Sequence, residues 1–286
     1  MPNKLIPALS VYLNMKDTEN ITGKEVLNGL KIALPNAGTA ESARIQLGKI
    51  ATGPGPEYSK EECSKELKRL RKKLFELQNV FNADQSTSLL IIFQGLDAAG
   101  KDGTIRRVMS GMNPMGVRVD PFKVPTAEEL KHDFLWRLYP HLPAKGMIEV
   151  FNRSYYEDLI VPTFEKSLSK ELLSQRYELI NHLEDHLTRS KTHILKFFLH
   201  VSNEEQEKRI KERQNDPDKR YKFDPSDKIV ASKWDGYIKI YDRVISTCNT
   251  PEWNIIPADK RWYRNYAVAK VVTEYMESLN LKYPKR

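Results

Sequence analysis

The stretch Ser88-Leu89-Leu90-Ile91-Ile92-Phe93-Gln94-Gly95-Leu96-Asp97-Ala98-Ala99-Gly100-Lys101-Asp102-Gly103-Thr104 constrains the fold more than any other part of the chain. Its first third is a run of apolar, partly β-branched residues, which predicts a strand buried on both faces. A glycine-bounded loop follows. Ile105, Val108, Met109 and Met112 then recur at the spacing of a helix with one buried face. Strand, Gly-x4-Gly-Lys loop and helix is the order of a phosphate-binding loop. The chemistry explains the residue types. Gly95, Gly100 and Gly103 let backbone N–H groups approach phosphate oxygens with no side chain in the way, so the backbone around Ala98 and Ala99 is expected to line the anion. The helix behind adds unpaired N–H groups and the positive end of its dipole. Lys101 adds a full positive charge. The spacing alone arises by chance in roughly one chain in ten of this length, but the flanking strand and helix remove most of that ambiguity.

Three positions depart from the usual pattern. Asp102 stands where a Ser or Thr hydroxyl normally touches magnesium, and Thr104 comes two residues late. Asp97 puts a carboxylate inside the loop. A carboxylate beside phosphates is repulsive unless a cation lies between them, so Asp97 reads as a magnesium ligand. For Asp102, capping of local backbone N–H groups is the stronger reading.

The chain has 286 residues, enough for one large α/β domain plus an extension. Its net charge of +8 favours an anionic partner without saying which: nucleic acid, anionic membrane and free phosphate polymers all fit. No apolar run approaches a membrane span. Leu5 to Leu13 is short, contains Pro7 and Tyr12, and makes a poor signal peptide. Cys63 and Cys248 are too few and too distant for a disulfide framework or a zinc site, so a reducing cytoplasm is the expectation.

Residues 1–56 are punctuated by proline and glycine, show no long period, and read as an N-terminal extension. From there to residue 286 the pattern is one domain. Ser59 with Glu62 predicts a capped helix through Cys63, Leu67, Leu70, Leu74, Leu77 and Phe81, with Lys65, Lys68, Arg69, Arg71, Lys72 and Lys73 on the other face. Val117–Val119, 147–151, 194–199 and 253–257 read as further strands. Thr126 with Glu129 predicts a helix carrying Leu130, Phe134 and Leu138 on one side. Other helices are expected through Leu173–Leu187, after Ser202, and over Trp262–Leu279. Strands alternating with helices imply a parallel sheet sandwiched by helices. Ligands of such sheets bind beyond the carboxyl ends of the strands. That rule gathers Gly95–Lys101, the tip at Asn152-Arg153, and the segment after His200.

Arg153 is suited to reading phosphate with two parallel donors. Asn152 stands where phosphotransferases often carry a metal-holding Asp. Glu157 and Asp158 can position a cation, accept from a nucleobase amine, or hold Arg153 in place. The run Lys208 to Lys222 begins as a helix and breaks at Pro217. Arg209 and Arg213, four apart, share a face. With Lys219 and Arg220 they suggest a lid, about residues 203–225, that closes positive charge onto a transferring phosphoryl group.

These residues resemble the family-2 polyphosphate kinases from about Glu57 to the C-terminus. The carriers are Gly-Leu-Asp-Ala-Ala-Gly-Lys-Asp-Gly at 95–103, Asn-Pro-Met-Gly at 113–116, His-Asp-Phe-Leu-Trp-Arg at 132–137, Phe-Asn-Arg-Ser-Tyr-Tyr-Glu-Asp at 151–158, Ile-Leu-Lys-Phe-Phe-Leu-His-Val-Ser at 194–202 and Ile-Pro-Ala-Asp-Lys-Arg-Trp-Tyr at 256–263. Asn152 and the Glu157-Asp158 pair resemble the third subclass, which phosphorylates nucleoside mono- and diphosphates. The resemblance implies a thymidylate-kinase-like core, Mg2+ dependence, an oligomer (dimer or tetramer), and reversible phosphoryl transfer from inorganic polyphosphate to AMP or ADP, giving ADP or ATP. It implies roles for Asp97 (metal and acceptor phosphate), Lys101 (phosphates), Asn152 and Arg153 (second loop) and Arg213 (lid). An ATP-dependent nucleotide monophosphate kinase of the same fold is one alternative, against which Asp97 and Asp102 argue. A non-catalytic polyanion binder is another. Neither a nucleic acid nor a membrane is the expected partner.

Overall fold

The computed structural model describes residues 45–218, 220 and 224–285. Most of the N-terminal extension and Lys219 lie outside the described residues. One sheet holds β1 (Ser88–Gln94), β2 (Val117–Pro121), β3 (Ile148–Asn152), β4 (Thr192–His200) and β5 (Trp253–Pro257), all parallel, in the order β2-β3-β1-β4-β5. The helices are α1 (Lys60–Asp84), α2 (Lys101–Met109), α3 (Glu157–Glu165), α4 (Lys170–Arg189), α5 (Asn203–Asn215), α6 (Pro225–Ser232), α7 (Trp234–Thr247) and α8 (Arg261–Ser278).

The apolar run of residues 88–93 is central because it is apolar on both faces. Every residue of β1 is buried, and Ile91 lies opposite Val150 of β3 and Leu195 of β4. α1, α2 and α8 pack together over one face of the sheet, and α3, α4 and α7 pack together on the other. α1 starts as its sequence implies: Ser59 Oγ accepts from the Glu62 N–H (3.2 Å) and donates to the Glu62 carboxylate (2.7 Å). Cys63, Leu70, Leu74 and Phe81 form its buried stripe. Lys65, Lys68, Arg69 and Lys72 of the basic face are exposed.

The chain departs from its periodicity in four places. α2 stops at Met109, although Met112 remains buried one turn further on. Thr126 and Glu129 do make reciprocal capping bonds, yet only a 3-10 turn follows (Glu129–Lys131), and Leu130 is exposed. The reason is local competition. The Asp133 side chain accepts from the Leu135 N–H (3.0 Å), and His132 is extended, so the chain restarts as a second 3-10 turn, Trp136–His141. Between β3 and β4 there are two helices, because α3 ends at Lys166 in the left-handed region. α6 and α7 occupy a stretch for which the sequence suggested no element. In α7, Ile238, Tyr241, Val244 and Ile245 supply the helical spacing.

Residues 45–52 of the expected extension lie on the core. Ile45, Leu47 and Ile50 are buried, and the Ile45 and Leu47 N–H groups donate to Ser246 and Asp242 of α7.

Candidate active site

The carboxyl ends of β1 and β3 coincide, with Phe93 opposite Asn152, so the loops that follow them face each other. The first loop needs its glycines. Gly95 has φ +146°, and a Cβ there would come within 2.8 Å of the Leu199 carbonyl; Gly100 has φ +103°. Ala98 also adopts positive φ (+61°). Lys101, first residue of α2, is buried, and its Nζ donates to the carbonyls of Gly95 (2.7 Å) and Leu96 (3.2 Å). Burial, reinforced by nearby Arg153, pushes the Lys101 ammonium down to about 8.

The second loop presents Arg153 with φ +65°, a conformation that costs a non-glycine residue about 1 kcal/mol or more. It is held there because the Arg153 N–H donates to Phe93 O (3.0 Å). Its guanidinium bonds the Asp97 carboxylate and lies 3.9 Å from Glu157. Gln94, with its amide N–H donating to Glu157 Oε1 (3.1 Å), ties that carboxylate back to β1. Burial raises the Glu157 carboxyl above its ordinary value, against the pull of Arg153 and Lys101. Asp97, Arg153 and Glu157 line one small cleft with Gly95, Tyr237 and Tyr241.

Beneath the second loop lies a buried charged network. Lys196 of β4 donates to Glu184 (2.7 Å), Tyr156 OH (3.1 Å) and Cys248 O (2.9 Å). Glu184 also accepts from the hydroxyls of Tyr155 and Tyr156 (2.6 Å each). The two tyrosines directly precede Glu157, so the network anchors the loop that carries Arg153 and Glu157.

The structure thus brings Asp97, Lys101, Arg153 and Glu157 together. Asn152 Nδ2 donates to Asp102 Oδ1 (2.8 Å), which joins the two loops. Other residues lie elsewhere. The Thr104 hydroxyl is buried and donates back to Gly100 O (3.0 Å). Asp158 pairs with Arg176 of α4 (3.8 Å) instead of Arg153, and burial raises its carboxyl to about 6. Arg209 is buried with all five N–H groups engaged: Nε on Glu205, Nη1 on the carbonyls of Ala98 and Ala99, Nη2 on those of Ala258 and Asp259. It has no donor left for a phosphate. Arg213 is half-buried and Arg220 exposed, on the segment after the loop-facing part of α5.

Four residues at this site carried no sequence signal: Gln206, Tyr237, Tyr241 and Arg264. Tyr237 and Tyr241 are one turn apart on α7, so recognising that helix exposes them. Gln206 and Arg264 touch the loop from more than a hundred residues away, which no local pattern reports.

Among the described residues no group of three or more His, Cys, Asp or Glu side chains could hold a metal alone. Asp97 and Glu157 in one cleft do match a magnesium site completed by substrate phosphates and water.

Comparison with known proteins agrees with this geometry. The profile of polyphosphate kinase 2 (PPK2) matches residues 57–284. The ADP-polyphosphate phosphotransferase of Rhodopseudomonas palustris is 40% identical over 272 residues, 90% of this chain and 94% of that protein. The AMP/ADP-polyphosphate phosphotransferase of Meiothermus ruber is 41% identical over 231 residues, 80% of this chain and 86% of that protein. The crystal structure of polyphosphate kinase 2 from Arthrobacter aurescens superposes with a TM-score of 0.80 at 33% identity, covering 93% of each chain. The match takes in all five strands and the two facing loops, and the chain belongs to the polyphosphate kinase 2 family.

Proposed function

We propose that this protein transfers the terminal phosphoryl group of inorganic polyphosphate to a nucleotide, AMP and/or ADP, reversibly and with Mg2+. The observation that carries the reading is the facing pair of loops: Lys101 and the N-terminus of α2 on one side, the Asp97–Arg153 pair on the other. The activities for which the R. palustris and M. ruber relatives are named support the donor, and that of the M. ruber protein supports both acceptors.

The terminal phosphate oxygen of the acceptor is already ionised, so no general base is required. Catalysis is then positioning and charge neutralisation for in-line transfer. Lys101 and the loop N–H groups neutralise one phosphate. Arg153 exchanges its carboxylate partner for a phosphate oxygen, a geometry its two-pronged guanidinium favours. Asp97, with Glu157 nearby, would hold Mg2+, which supplies charge stabilisation on the transferring group. Arg213 and Arg220, on the lid segment, close over the cleft. Tyr237 of α7, half-buried at the cleft wall, is available to the acceptor, with Tyr241 buried one turn behind it. Assembly as a homo-oligomer and residence in the cytoplasm complete the proposal. No described helix is long and apolar enough to cross a membrane.

The test is phosphorylation of AMP and ADP by long-chain polyphosphate with Mg2+ and no nucleoside triphosphate, wild type beside Asp97→Asn. ADP and then ATP from AMP, with a nearly inactive variant, are expected. Product only after a nucleoside triphosphate is added would make an ordinary nucleotide kinase the better reading.

A further inference from the structure

The outer side of the phosphate loop presents three consecutive carbonyls, and each is held by a side chain from a distant helix. Gln206 Nε2 donates to Asp97 O (2.9 Å). Arg209 Nη1 donates to Ala98 O (3.1 Å) and Ala99 O (3.0 Å). Arg264 Nη1 donates to Ala99 O (2.8 Å). Gln206, Arg209 and Arg264 are all more than nine-tenths buried. In a trans peptide the C=O and the following N–H point in opposite directions. Drawing the Asp97 and Ala99 carbonyls outward therefore turns the Ala98 and Gly100 N–H groups the other way. Neither N–H meets an acceptor among the described residues. A cation on the carbonyl also polarises the peptide and strengthens the N–H as a donor.

Arg264 stands apart from Arg209 in its charge balance. Arg209 has Glu205 at 2.9 Å. Arg264 has Asn265 Oδ1 at 3.3 Å, its Nε is unpartnered, and no carboxylate among the described residues pairs with it. Burial and the neighbouring Arg209 and Arg261 push it down to about 9. Its guanidinium lies directly against the loop: a Cβ on Gly100 would fall 2.1 Å from Nη1. A buried, uncompensated cation costs stability in the free protein. An anion in the loop would compensate it.

We propose that Gln206, Arg209 and Arg264 are positioning residues for the polyphosphate or nucleotide phosphate, aiming the loop's N–H groups into the anion site, and that the charge of Arg264 is balanced only when that anion is bound. This rests on residues 95–101 being the phosphate-binding loop. The placement of Gln206 and Arg209 on α5, beside Ile210, which packs with Ala98 and Ala231, makes the loop and the root of the lid one unit.

The experiment compares wild type, Arg264→Gln, Arg264→Lys, Gln206→Leu and Lys101→Ala. Urea unfolding is followed with and without sodium tripolyphosphate, tripolyphosphate affinity is measured by calorimetry, and kcat and KM are determined with long-chain polyphosphate. Arg264→Gln should leave the free protein at least as stable as wild type while weakening tripolyphosphate binding about tenfold, with the loss in KM. Arg264→Lys, which keeps the charge, should recover most of that affinity. Gln206→Leu should weaken binding with little loss of free stability, and it carries the test if Arg264→Gln does not fold. A free protein destabilised by Arg264→Gln, with tripolyphosphate affinity unchanged in every folded variant, would show a packing role and overturn the proposal. If wild type fails to bind tripolyphosphate, or binding survives Lys101→Ala, the loop assignment itself falls, and this proposal with it.

Discussion

Raising the pH should discharge Lys101 in the free enzyme before it does so in the complex. The ammonium is buried and titrates near 8, against an ordinary value of 10.5, with burial as the main cause. Its charged fraction therefore falls from about nine-tenths at pH 7 to about one-tenth at pH 9. If Lys101 must be charged to meet the phosphate, kcat/KM for polyphosphate falls about tenfold over that interval. A bound polyanion restores the ammonium, so kcat should stay level across the same range. Initial rates of ADP phosphorylation from pH 6.5 to 9.5 measure both, with the substrate's own titration read from its phosphorus resonances and divided out. The same shift has a stability consequence. The folded value lies below the unfolded one, so between about pH 8 and 10.5 the unfolded chain holds more protons and stability rises with pH. The difference amounts to about 3 kcal/mol, visible as wild type gaining on Lys101→Met in urea unfolding across that range. A kcat/KM that stays level to pH 9.5, or a kcat that falls with it, refutes the reasoning.

Two substitutions test the scaffold of the site. Gly100→Ala adds a Cβ at positive φ and against Arg264, so it should abolish turnover and tripolyphosphate binding while costing about 1–3 kcal/mol of stability. Full activity in the folded variant would mean that the loop's close approach to Arg264 is dispensable. Lys196→Met leaves Glu184 as a buried charge without its cation and should cost about 3–5 kcal/mol, measured by urea unfolding. Adding Glu184→Gln should return part of that loss, and a double variant as unstable as the sum of the singles argues against the pairing.

The strand–loop–helix around Lys101 was legible because everything that makes it is local. Apolar residues in a row set β1, two glycines permit the loop, and the helical spacing places Lys101 at an N-terminus. The caps at Ser59 and Ser202 are likewise written within three residues. Thr126 shows where this stops: its cap formed as expected, but Asp133, seven residues on, offered the backbone a competing bond. The helices after Pro217 were missed for another reason. Their apolar spacing is present in α7, but it follows directly on the charged run Lys208 to Lys222, in which no apolar period marks where a helix begins.

What tertiary structure alone decided is the partner of each charge. Nothing in the sequence separates Arg209 from Arg213, four residues apart on one helix, yet Arg209 is locked beneath the loop, 111 residues from Ala98. Nothing separates Glu157 from Asp158, yet successive positions on a helix point about 100° apart, which sends one to Arg153 and the other to Arg176. Arg264, 165 residues from Ala99, joined the site only because β5 ends beside β4 and turns α8 toward the loop. Residue types and short spacings are fixed by covalent order and therefore readable. Which long side chain meets which distant backbone depends on the packing of the whole sheet and both helical layers, and it exists only once the chain has folded.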